Sequence, residues 1–216
     1  MKFDVKTIEI LKNFNTINPS ILFKEGDVIS TVSSAKTILA RAVIDQEFPK
    51  EFAIYDLSQF LGALSVMPEA EIDFGENQLT MKSKNSKINY TYASPSMIVA
   101  SPYKEIKMDN VIASFDLPFS SLTTIIKAAS VLQLSDITIM SDDDTGDILI
   151  KAVNTKEPTS NDYTIKVGQT SADFEITFKV ENLKLLNRDY RVEVPDKGFV
   201  KFSDGKISYW IAASIA

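Results

Sequence analysis

The chain of 216 residues contains no cysteine and no histidine. Without cysteine there is no disulfide, no thiolate nucleophile and no zinc site of the usual Cys/His type, and without histidine the commonest general base is missing. The seven glycines are scattered and form no phosphate-binding loop. No pair of carboxylates can be singled out for glycoside hydrolysis. These absences predict a protein that is not an enzyme and that uses no cofactor.

An acidic cluster is the one feature that suggests a metal site. Asp142, Asp143 and Asp144 stand close to Gly146 and Asp147, and hard cations prefer oxygen ligands. The cluster lacks the ordered ligand spacing of a calcium loop, however, and aspartate and glycine are common turn residues. We therefore predict a solvated hairpin turn here and no metal site.

Long hydrophobic runs are also missing. No stretch approaches the roughly 20 apolar residues of a membrane-spanning helix. The first residues, Met1 to Lys6, mix apolar with polar side chains and show no signal-peptide pattern. The composition, 44% hydrophobic and 24% charged, is that of a globular protein. We expect an intracellular protein without a membrane partner.

Positive charge is in deficit, because 23 Lys and Arg residues stand against 29 Asp and Glu, a net charge of -6. Residues 1–108 hold 12 basic and 13 acidic groups, and residues 109–216 hold 11 and 16. Neither half is a basic domain. Contact with a nucleic acid would have to come from a few lysines placed on one face.

What the chain does contain is an internal repeat. The segment KINYTYA at residues 87–93 matches KISYWIA at residues 206–212, and amphipathic segments at Ala53–Leu64 and Ile176–Asn187 precede these two endings. Each half reads as helix, strands, helix and further strands. Repetition of this kind indicates two similar domains, and about 100 residues suffice for each to bury its own core.

The predicted elements give an α+β protein with antiparallel sheets. Helices are predicted at residues 8–17, 57–67, 120–133 with Ser120 or Ser121 as N-cap, and 180–186. Strands are predicted at residues 21–24, 28–32, 37–44, 51–55, 71–74, 78–82, 87–93, 136–140, 148–154, 162–167, 172–178, 190–194, 199–202 and 206–213. We assign residues 1–93 to a first domain, 94–117 to an apolar connector and 118–216 to a second domain.

Lysines mark the polar faces of the predicted helices. If equivalent faces of both repeats point at one axis, these lysines converge and attract a polyanion. The candidate DNA-facing residues are Lys2, Lys6, Lys12, Lys127 and Lys184. The alternative is that lysine only solvates the outer face of an amphipathic helix.

The connector and the C-terminal strand are unusually apolar. Together they suggest a pocket for a short peptide of another protein. Its candidate lining is Met97, Val99, Tyr103, Ile106, Trp210, Ile211 and Ala212. Core filling is the alternative explanation for a strand as apolar as the last one.

Three motifs resemble those of one family. They are ILKNFNTIN at residues 10–18, AIYDL followed by FLG and LS within Ala53–Ser65, and the Asn182-Leu183-Lys184 triplet. With the repeated order of elements, they resemble the polymerase sliding clamps of T4-type bacteriophages. The similarity spans nearly the whole chain and is stronger in the first half.

The resemblance implies a flat ring of three two-domain subunits, with helices lining a central hole and antiparallel sheets outside. Such a homotrimer encircles duplex DNA without reading its sequence and tethers the viral DNA polymerase. An ATP-driven clamp loader opens it, and a late-transcription sigma-like factor and coactivator use it to tether host RNA polymerase. A viral DNA ligase is a further implied partner, and the place of action is the cytoplasm of the infected bacterial host.

Two other interpretations remain open from the residues. A duplicated β-rich phage protein with a structural or ligand-binding role would use its amphipathic helices only to cover sheets. An enzyme is the least supported class, because histidine, cysteine and nucleotide motifs are missing.

Overall fold

The computed structural model describes residues 1–100, 106, 108–157, 159–196 and 198–214. The chain divides into two compact units, Met1–Lys104 and Glu105–Ala216. Within the described residues, no helix combines the length and the apolar character needed to cross a membrane.

The first unit follows the predicted order of elements closely. It contains α1 (Val5–Ile17), β1 (Ile21–Phe23), β2 (Gly26–Val32), β3 (Ile38–Phe48), β4 (Phe52–Ile54), α2 (Leu57–Val66), β5 (Glu71–Phe74), β6 (Gln78–Lys82) and β7 (Lys87–Thr91), followed by a single 3-10 turn at Pro95–Met97. Antiparallel pairs join β1 to β4 and β2 to β3, and β5, β6 and β7 form an antiparallel sheet in that order.

The second unit repeats this plan with one helix fewer. It contains β8 (Val111–Leu117), α3 (Phe119–Leu132), β9 (Asp136–Ser141), β10 (Asp147–Val153), β11 (Tyr163–Gln169), β12 (Glu175–Lys179), β13 (Tyr190–Pro195), β14 (Phe199–Ser203) and β15 (Ile207–Ala212). One antiparallel sheet has the order β11-β10-β9-β12, and a second places β15, β14, β13 and β8 side by side.

Aromatic side chains fill the core of each unit. In the first, Phe23 stacks on Phe52 with ring centroids 4.4 Å apart and packs edge-on against Phe48 at 4.8 Å. In the second, the rings of Tyr190 and Tyr209 meet at 6.0 Å, nearly perpendicular. Such pairs add to the hydrophobic stabilisation that their buried area supplies.

The prediction of a helix at residues 180–186 is wrong. Only a 3-10 turn, Val180–Asn182, forms there. The amide of Val180 donates to the carbonyl of Ser135, and the amide of Leu186 donates to the hydroxyl of Tyr209. Because these amides are bound to other parts of the unit, an α-helical ladder does not develop in spite of the apolar periodicity.

Two further predictions need correction. Val111–Leu117, which we placed in the connector, is strand β8 and pairs with β13. The N-cap of α3 is Pro118 rather than Ser120 or Ser121, and the side chain of Pro118 forms no capping hydrogen bond.

The acidic cluster forms the predicted hairpin turn, between β9 and β10. One oxygen of Asp142 accepts hydrogen bonds from the amide and the hydroxyl of Thr145, each 2.9 Å long. These bonds hold the pKa of Asp142 below its usual value. The residues therefore act as turn residues, as predicted.

Candidate nucleic-acid interface

The outer face of α1 carries two of the five predicted DNA-facing lysines, Lys6 and Lys12. The carboxylate of Asp4 caps the helix by accepting a hydrogen bond from the amide of Thr7 at 2.6 Å. The buried stripe then consists of Thr7, Ile10, Leu11, Phe14 and Ile17. Because helical neighbours recur every three to four residues, this stripe turns Lys6, Glu9 and Lys12 outward, and all three are exposed.

Helix α2 lies beside α1 and adds an uncharged surface. The side-chain amide of Asn15 donates to the hydroxyl of Ser58 at 3.2 Å, joining the two helices. Leu57, Phe60 and Leu64 are buried. The exposed residues of α2 carry no charge: Ser58, Gln59, Gly62, Ser65 and Val66.

Helix α3 supplies the equivalent face in the second unit. Leu122, Ile125 and Ala129 are its buried residues. Lys127 therefore projects from the middle of the opposite, exposed face, as predicted. Its exposed neighbours are mostly hydroxyl residues: Ser120, Thr123, Thr124, Ser130 and Val131.

The helices differ in charge from the rest of the protein. Together they carry three lysines, Lys6, Lys12 and Lys127, against a single acid, Glu9, a net charge of +2. The whole chain has a net charge of -6. The acidic surplus is thus carried by strands and loops, whereas the helices themselves attract a polyanion.

Ion pairs distinguish the lysines from one another. Lys2 Nζ lies 3.2 Å from Glu69 Oε2, and Lys6 Nζ lies 3.7 Å from Asp45 Oδ2. In the described part of the chain, Lys12 and Lys127 have no such carboxylate within 4.0 Å. Sequence reasoning missed Asp45 and Glu69, because both are remote in the chain from the lysines that they contact.

Lys184 does not lie on a helix. It follows the 3-10 turn Val180–Asn182, is half-buried, and its amide donates to the carbonyl of Asn182 at 2.8 Å. The helical spacing on which its assignment depended is therefore absent. Its contact with DNA stays a prediction without that support.

The predicted peptide-pocket residues have mixed exposure. Met97 and Val99 are 58% and 48% exposed. Ile106 and Ala212 are half-buried, Trp210 and Ile211 are buried, and Tyr103 lies outside the described residues. Exposed apolar side chains at Met97 and Val99 fit a docking role, whereas the buried Trp210 and Ile211 fit core filling.

Comparisons with known proteins give the family. Residues 2–100 match the family described as DNA polymerase processivity factor, and residues 114–215 match the family gp45 sliding clamp, C terminal. The chain is 33% identical over 218 residues to the sliding clamp of Vibrio phage KVP40, covering 98% of each protein. It is 30% identical to the sliding clamp of Enterobacteria phage T4, covering 98% of this chain and 96% of that one.

A solved structure shows the same fold at low identity. PCNA of A. fulgidus, with the C-terminal region of FEN-1 bound to it, superimposes with a TM-score of 0.70 at 14% identity, over 97% of this chain and 95% of that chain. Two units of antiparallel sheet with few helices are thus the clamp fold, as predicted.

The chain belongs to the sliding clamps of T4-like phages. It acts as a processivity factor for DNA polymerase. Since members of this family are not catalysts, the prediction that the chain is no enzyme is confirmed.

Proposed function

We propose that three copies of this chain form a closed ring that encircles duplex DNA and holds the replicative DNA polymerase at the primer end. The observation that carries the proposal is the contrast in charge between the helical surface and the rest of the chain. In the ring, α1, α2 and α3 of every subunit line the hole. Most acidic residues of the sheets and loops then lie away from the phosphates, with Asp45 and Glu69, which pair with Lys6 and Lys2, as exceptions.

A ring explains why so few lysines suffice. A protein that binds DNA through contacts alone needs many phosphate contacts, and its affinity then falls steeply with salt. A closed ring stays on DNA by topology. Weak contacts to the sugar-phosphate backbone, without contacts to base edges, then permit sliding along any sequence.

Subunits in such a ring meet head to tail, each using different surfaces of its two neighbours. We assign the contact to β7 and β11, which are edge strands of their sheets. Both alternate half-buried with exposed residues: Ile88 and Tyr90 on β7, and Tyr163 and Ile165 on β11. An unpaired edge with partly exposed apolar side chains favours pairing with another strand.

Sedimentation equilibrium over a dilution series tests the assembly. We expect a species of three times the chain mass of 24.0 kDa that dissociates only on dilution. A monomer at every concentration would contradict a ring that is stable by itself. That result would favour the alternative of a duplicated β-rich protein without a DNA function.

The proposed partners follow from this role. An ATP-driven clamp loader opens the ring, and the polymerase docks a peptide on the surface near Met97 and Val99. In A. fulgidus PCNA, the C-terminal region of FEN-1 is bound to the clamp, which supports peptide docking in this fold. We include among the partners a sigma-like factor and coactivator of late transcription with host RNA polymerase, and a viral DNA ligase. The place of action is the cytoplasm of the infected bacterium.

The lysine assignment is tested by charge reversal. In the double variant Lys12→Glu, Lys127→Glu, we expect normal trimer assembly but impaired loading or sliding, so that product lengths on a primed circular template shorten. The matched control is Lys84→Glu, Lys156→Glu, which reverses two exposed lysines in loops. Equal product lengths for both variants and the unmodified chain would overturn the assignment.

A further inference from the structure

In the first unit, two of the candidate DNA-facing lysines, Lys2 and Lys6, form ion pairs with carboxylates. In the pair Lys2–Glu69, an acid from the segment between α2 and β5 meets a lysine that precedes α1, and in the pair Lys6–Asp45, an acid from β3 meets a lysine in the first turn of α1. All four side chains are at least half exposed, so these acids lie where an approaching phosphate would lie.

Glu9 adds a third negative charge to the same surface. It follows Lys6 by three residues and precedes Lys12 by three. Residues at this spacing are neighbours on a helix, with Cβ atoms about 5–6 Å apart. Glu9 therefore weakens the attraction that either lysine exerts on a polyanion.

The second unit shows no such opposition on its helix. The exposed face of α3 has Lys127 at its centre among serine and threonine residues, and the helix contains no acidic residue. Equivalent faces of the two repeats thus differ in how much of their positive charge is compensated.

We propose that Asp45 and Glu69, assisted by Glu9, limit the affinity of the clamp for DNA by competing with phosphates for Lys6 and Lys2. This inference rests on the proposed function, in which α1 faces DNA. Phosphate contact then falls mainly to Lys127 and Lys12. The carboxylates act as built-in competitors that keep the ring mobile on the duplex.

The energetics of exposed ion pairs support this assignment. Such pairs contribute little to stability, so the fold does not depend on them. A lysine that already has a carboxylate partner gains less from a phosphate and releases fewer counterions on binding. Removing the acid leaves the lysine free to contact DNA.

The test uses the double variant Asp45→Asn, Glu69→Gln. Affinity for a labelled linear duplex is measured by fluorescence anisotropy at several salt concentrations. For each lysine that gains a phosphate contact, we expect the slope of log K against log salt to steepen by about 0.9. The tighter binding at low salt should be accompanied by slower diffusion of the loaded ring. The conservative single variant Asp45→Glu keeps a carboxylate opposite Lys6, and it should therefore show the same salt slope as the unmodified chain.

The control variant is Asp27→Asn, Glu51→Gln, which removes the same charge from exposed positions of the same unit. If this control steepens the slope equally, net charge explains the effect and the inference is overturned. An unchanged or shallower slope for Asp45→Asn, Glu69→Gln would also overturn it, provided that the loaded ring stays on circular DNA. If the unmodified chain itself is not retained on circular DNA after loading, the proposed function fails and the inference falls with it.

Discussion

The carboxylate of Asp189 accepts a hydrogen bond, 2.7 Å long, from the amide of Phe119, the first residue of α3. This contact joins residues 70 positions apart, and it places a negative charge at the positive end of the helix that carries Lys127. It replaces the side-chain cap that Pro118 cannot provide.

The replacement Asp189→Ala should therefore destabilise the protein. By comparison with losses of helix caps, we expect a decrease in the free energy of unfolding of about 1 kcal/mol. Asp189→Asn keeps an acceptor and should lose less. Urea denaturation of the two variants beside the unmodified chain measures both values, and a fully stable Asp189→Ala would show that the contact is dispensable.

Asp136 connects pH to stability. Burial by itself raises the pKa of this carboxyl, but hydrogen bonds from Lys179, Ser135 and Thr155 outweigh burial, so that the pKa lies below its ordinary value. A carboxyl whose pKa is lowered by folding stabilises the native state fully above the unfolded pKa of about 3.9. This contribution is lost as the pH falls through the lower pKa of the folded state.

The variant Asp136→Asn should lose this part of the acid sensitivity. At neutral pH it should be less stable than the unmodified chain by about 2 kcal/mol, since the buried carboxylate loses its charge-assisted hydrogen bonds, including that from the 38% exposed Lys179. Thermal unfolding at neutral pH and at pH values below 4 measures the difference between the two proteins. A difference that does not shrink at acidic pH would contradict the assignment.

Thr7 places a hydroxyl in the core of the first unit. The residue is 0% exposed, and its Oγ1 has no hydrogen-bond partner among the described residues. Valine has a similar shape without the polar atom, so Thr7→Val should stabilise the fold by about 1 kcal/mol. A lower midpoint of urea denaturation for Thr7→Val would show that the hydroxyl is satisfied in solution.

Gly62 is an interior residue of α2 whose packing does not require glycine. A Cβ placed there meets no atom within 4 Å. Because glycine is less favourable than alanine in a helix, Gly62→Ala should raise stability by about 0.5–1 kcal/mol. Thermal unfolding measures this gain. No gain in the melting temperature would mean that the site is more crowded in the assembled protein than in the single chain.

Much of the fold could be predicted from the sequence where local signals agree. For β5 and β6, alternation and flanking turns gave the observed bounds, and Asn18 and Pro19 marked the end of α1. Strand β8 was missed although Ala113, Phe115 and Leu117 alternate as buried residues. Its short run follows an irregular segment that contains Pro95 and Pro102, and residues 94–117 taken together show no clean alternation.

The remaining errors come from contacts that a sequence does not display. The residues around Leu183 have a helical period, but the amides of Val180 and Leu186 bind Ser135 and Tyr209 instead. The candidate site shows the same limit. Helical periodicity identified Lys12 and Lys127, whereas the carboxylates that oppose Lys2 and Lys6 come from distant parts of the chain.

Retention on circular DNA distinguishes a closed ring from a protein that binds DNA by contacts alone. The clamp is loaded onto a nicked circular duplex, isolated by gel filtration at a salt concentration that removes proteins bound by contacts alone, and the circle is then cut once. We expect the clamp to stay with the intact circle and to be released when the DNA becomes linear, because only a closed ring depends on the absence of ends. Release from the intact circle, or equal retention on circular and linear DNA, would contradict the proposed ring.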